Sequence, residues 1–134
     1  MTMTVLVPSL MDIEEGSMAK FMFVFRGGAY VRPDLSPDEA QAHFQKWMDW
    51  VKAMTEAESF VGGDPLSTEG QVIRGNGKAV SDGPYAEAKD LVTGYIMVET
   101  SDLAAASEIA RDCPIYELDG SVEVRPVATD LSGS

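Results

Sequence analysis

The chain has 134 residues, enough for one domain with a single core. It is 45% apolar and 24% charged, the balance of a globular protein. Ten basic residues against 22 acidic ones give a net charge of −12, which disfavours nucleic acid and anionic lipid surfaces as partners.

No apolar run approaches the roughly 18 to 20 residues that span a bilayer, so no membrane partner is expected. The lone cysteine, Cys113, excludes an internal disulfide and reads as a small buried apolar side chain. The first residues have a short apolar patch, no basic stretch before it and acids after it, unlike a signal peptide. A soluble, cytoplasmic protein is the expectation. Residues 1–17 read as an N-terminal extension, with Met18 able to start the domain, and residues 129–134 as a C-terminal tail.

Between these ends, the run from Phe21 to Phe25 is apolar throughout and bounded by Arg26-Gly27-Gly28, which predicts a strand. Successive strand residues face opposite ways, so a run with no polar member needs cover on both sides. Gly94 to Val98 makes the same demand. Two helices cover one face of a small sheet, so the other is predicted to pack on a second copy, giving a homodimer.

Ser36-Pro37-Asp38-Glu39 combines a capping serine, an N-terminal proline, first-turn acids and a glutamate three residues after the serine, and predicts a helix to about Glu58. Ala40, Phe44, Trp47, Val51 and Met54 recur at helical spacing and form its expected core face, widened by Met48 and Trp50. His43 falls inside that apolar arc. As the only histidine, it is either a buried ring satisfied by a backbone carbonyl or the first candidate for acid-base work near neutral pH.

Phe60 to Leu66 predicts a short strand whose Gly62-Gly63 pair allows a bulge or a close backbone approach. Gln71 to Arg74 and Lys78 to Ser81 flank Gly75-Asn76-Gly77 as a hairpin. Asp82-Gly83-Pro84-Tyr85 has the composition of a sharp turn in which an aspartate bonds nearby amides. Val92 to Glu99 predicts a strand, Ser101 to Cys113 a second helix capped by its serine, and Val122 to Val127 a strand whose proline marks a sheet edge. Two strand-helix-strand halves predict an α+β ferredoxin-like sandwich, an antiparallel sheet with both helices on one face. One histidine and one cysteine make no metal-ligand set, and no nucleotide-binding glycine pattern occurs, so neither a metal nor a cofactor is expected.

Lys20 to Gly28, His43-Phe-Gln-Lys-Trp47, Val61 to Leu66, Asp82-Gly-Pro-Tyr-Ala-Glu87, Gly94-Tyr95, Cys113-Pro-Ile115 and Gly120 to Val127, taken together and in this order, resemble the YCII-related superfamily in its DGPF-domain branch. The resemblance spans residues 18–128, with Tyr85 where the branch's name-giving motif has phenylalanine. It implies a dimeric α-β barrel of ferredoxin-like protomers. It also implies a histidine-aspartate pair, in which His43 matches the family's histidine and Asp82, in the signature loop, is the candidate partner. The wider superfamily includes lactone dehalogenases, and some members of the branch carry labels linked to sigma factors.

Two functions are therefore expected. One is a cofactor-free lyase or isomerase acting on a small lactone-like or carbonyl substrate, with His43 and Asp82 catalytic and Arg26 and Tyr85 holding an anionic or carbonyl group. The other is a non-catalytic dimeric module that binds a ligand or a regulatory protein.

Overall fold

The computed structural model describes residues 18–83 and 87–128. The expected N-terminal extension, the C-terminal tail and Tyr85 lie outside the described residues.

The strands β1 (Ala19–Arg26), β2 (Phe60–Pro65), β5 (Val92–Thr100) and β6 (Ser121–Pro126) form an antiparallel sheet in the order β2-β5-β1-β6. Helices α1 (Pro37–Glu56) and α2 (Leu103–Ala110) follow β1 and β5. This is the ferredoxin-like βαββαβ arrangement, with a hairpin of β3 (Gly70–Arg74) and β4 (Ala79–Gly83) inserted between the second and third sheet strands as a separate two-stranded sheet. The hairpin turn falls at Gly75-Asn76-Gly77, all with positive φ, as that composition demands. Pro126 pairs with Phe21 on β6, an edge strand.

Alternation along β1 decides what each layer covers. Phe21, Phe23 and Phe25 are buried beneath the helices with Ile96 and Val98, their neighbours on β5. Each such side chain contributes about 1.5–3 kcal/mol by leaving water. From above, α1 supplies Trp50 and Met54, while α2 supplies Ala106 and Ala110, whose small side chains let it lie close. Trp50 stacks on Phe23 at 6.1 Å and donates its indole N–H to the Ile109 carbonyl at 3.1 Å. The intervening residues Met22 and Val24, with Tyr95 and Met97 beside them, are half-buried on the opposite face.

One helix expectation holds closely and the other needs correction. α1 begins as expected, with Ser36 and Glu39 exchanging the hydrogen bonds of a capping box, but ends at Glu56, and Glu58 turns left-handed at φ 61°. α2 is capped by Asp102, whose carboxylate accepts the Ala105 N–H at 2.8 Å, and is shorter than the predicted Ser101 to Cys113. Asp82 and Gly83, expected in a turn, close strand β4 and pair with Gln71 and Gly70.

Candidate functional site

A cavity of about 690 Å³ lies between α1 and the sheet, near the ends of β1, β2 and β5. Its roof is the α1 stripe of Phe44, Trp47, Met48 and Val51. Its floor includes Phe25, Phe60 and Ile96, with Ile115 at one side and Tyr30 at the rim. The helix stripe expected in the core is therefore split. Trp50 and Met54 reach the core, whereas Phe44 and Met48 are 55% and 42% exposed because they overhang open space. Gly63 suits the floor for a backbone reason: a Cβ there would collide with the Tyr95 carbonyl oxygen on the neighbouring strand.

His43 sits on the cavity wall and is 6% exposed. One helical turn on, Trp47 donates its indole N–H to His43 Nε2 at 2.9 Å. With Nε2 accepting, a neutral imidazole carries its proton on Nδ1. That nitrogen faces Glu117 Oε1 at 3.9 Å. Glu117 belongs to the 3-10 turn Pro114–Leu118, and Lys46 grips both its oxygens at 3.0 and 3.1 Å. Burial is the main influence on His43 and lowers its pKa; Glu117 acts in the opposite sense, and Lys46 reinforces burial. The ring is thus held neutral at pH 7.

The sequence candidates do not converge. Asp82 is exposed on the β3–β4 hairpin and is not among the cavity residues; the charged groups that act on His43 are Glu117 and Lys46. Arg26 lies on the sheet face away from α1, where its guanidinium binds Glu123 at 2.7 Å. Tyr85 is outside the described residues. The structure adds Trp47 and Glu117 to the site. The spacing of four between His43 and Trp47 carried a signal for the indole contact, whereas nothing in the sequence joins Glu117 to a histidine on a distant helix.

Of the other polar groups at the cavity, which include the exposed Gln41 amide, the Thr93, Asp64 and Tyr95 side chains have partners. The buried Thr93 hydroxyl donates to the Gly27 carbonyl at 2.9 Å. Asp64 and Tyr95 are register partners whose side chains share the outer sheet face, the Tyr95 hydroxyl donating to Asp64 at 2.8 Å, so they border the cavity through their backbones. That bond raises the Tyr95 pKa. Cys113 is buried and its thiol pushed up to about 12 by desolvation, so it supplies no nucleophile at neutral pH. Among the described residues no three His, Cys, Asp or Glu side chains gather to hold a metal, and no helix is long and apolar enough to cross a membrane.

The family model for the YCII-related domain matches residues 22–129. Among solved structures, the chain aligns with 5-chloro-2-hydroxyhydroquinone dehydrochlorinase from Burkholderia phenoliruptrix AC1100 in complex with 2,5-dihydroxybenzoquinone. The TM-score is 0.46 and the identity 9%, over 85% of this chain and 99% of that one. No curated protein matches the sequence.

Proposed function

The chain belongs to the YCII-related family, and from that premise we propose that it binds a small, largely apolar molecule beneath α1 and exchanges a proton with it through His43, as a cofactor-free lyase or isomerase. One observation carries this reading: the only histidine is a nearly enclosed, neutral ring on the wall of an apolar cavity. A neutral imidazole carries one basic nitrogen, which takes a proton once its lone pair is released.

The steps follow from the two ring nitrogens. A substrate proton is delivered to Nε2 as the Trp47 N–H gives way, and the imidazolium that forms keeps its Nδ1–H toward Glu117. The carboxylate then stabilises the positive ring, in the role expected of Asp82. In this reading, neither Asp82 nor Arg26 touches the substrate. The outer sheet face, with Met22, Val24 and Met97 half-buried, is proposed to take a second copy of the chain.

One observation favours a non-catalytic ligand-binding module instead. The Nε2 lone pair is already used by Trp47, so proton uptake there has to break an existing bond. Turnover separates the two readings. Lactones and enolisable carbonyl compounds are screened with wild type and His43→Ala, and the enzyme reading expects turnover that His43→Ala loses. Equal turnover in both would remove the histidine from the mechanism, and saturable binding without turnover would leave the binding module.

A further inference from the structure

The chemistry of the cavity wall says what kind of molecule it takes. None of the chain's ten lysines and arginines is among the described residues that line it. Its one acid, Asp64, directs its carboxylate to the other sheet face, where Tyr95 donates to it. His43 is neutral, and the Thr93 hydroxyl proton is committed to a backbone carbonyl. The ammonium that acts on His43, that of Lys46, is not among the lining residues and is held by Glu117. An anion entering this space would exchange hydration for uncharged donors alone, the Gln41 amide among them, and would meet no side-chain counter-charge, which costs more than burying an uncharged ring of the same shape. The protein's net charge of −12 adds a long-range repulsion of the same sign.

We propose that the cavity selects an uncharged, ring-sized apolar ligand over its anionic counterpart. The inference rests on the cavity being a ligand site, as proposed above, and departs from the anionic half of the expectation that Arg26 and Tyr85 hold an anionic or carbonyl group. A volume of about 690 Å³ lies within the range of small-molecule pockets, roughly 300–1,000 Å³. Phe44, Trp47 and Phe60 offer ring faces and edges to such a ligand, and Met48 an adaptable thioether.

Two fluorescent probes with the same rings make the comparison: N-phenylnaphthylamine, which is uncharged, and anilinonaphthalene sulfonate, which adds a sulfonate. Each is titrated into the full chain at low and at high salt, since salt screens the long-range repulsion and leaves the desolvation penalty of the cavity in place. The uncharged probe is expected to bind roughly tenfold tighter or more at both salt concentrations. Met48→Lys, at an exposed position of the roof, should bring the sulfonate's affinity up toward that of the uncharged probe.

A sulfonate that binds wild type as tightly as the uncharged probe overturns the inference and leaves the cavity as a ligand site. So does a preference that vanishes at high salt. A ratio unmoved by Met48→Lys in a folded variant places the probes elsewhere and also overturns it. Binding of neither probe removes the ligand cavity, and the proposed function with it.

Discussion

Trp47 donates its indole N–H to His43 Nε2 at 2.9 Å, one helical turn away, and this bond sets the tautomer of the only histidine in the chain. An acceptor bond at Nε2 can exist only while that nitrogen is unprotonated, so it favours the neutral ring. Trp47→Phe keeps an aromatic side chain in the roof and removes the donor. The His43 pKa is then expected to rise from its wild-type value. The imidazole proton resonance, followed by NMR through a pH titration, measures it without assignment, and an unchanged or lower value would contradict the bond's role.

The same ring makes stability depend on pH. Burial lowers the His43 pKa below its ordinary 6.5, so the unfolded chain binds the proton first as the pH falls. The stability contributed by keeping the ring neutral is fully present above 6.5 and is lost as the pH drops from there through the folded value. Urea midpoints at pH about 7.5 and about 5.5 should fall less between the two in His43→Gln than in wild type. Glu117→Gln removes the influence that raises the pKa and should push the titration lower still. A higher titration in that variant would show that Glu117 does not act on the ring.

Much of this architecture is written in local chemistry. The Ser36–Glu39 capping box, the Gly75-Asn76-Gly77 turn and the all-apolar Phe21–Phe25 run each dictate their own geometry, and together they give the order of elements. The site was less legible, for three physical reasons. A helical wheel shows that Phe44 and Met48 are apolar, not whether the surface below them is a packed core or a cavity. The approach of Glu117 to His43 depends on how the turn after Cys113 docks on α1, which no residue pattern encodes. Asp82 lay in the most distinctive loop, yet pairing with Gln71 carries it onto a hairpin that stands apart as its own sheet.

The cap itself has a measurable weight. Ser36→Ala removes the oxygen that accepts the Glu39 N–H at 3.1 Å and should destabilise the protein by about 1 kcal/mol in urea denaturation. A cost near zero would mean that water replaces the cap.

The outer sheet face makes a claim about assembly. Sedimentation equilibrium should give twice the 14.5 kDa chain mass, and Val24→Glu, between Tyr95 and Glu123, should return it to one chain. Wild type that sediments as one chain at every concentration would leave that face free.

The central claim, a ligand cavity walled by His43, is tested most directly by following the His43 imidazole resonance during titration with the uncharged N-phenylnaphthylamine. Saturable probe fluorescence should be matched by a saturable shift of that resonance with the same midpoint. Saturated fluorescence with the His43 resonance unmoved would place the ligand elsewhere and contradict the account.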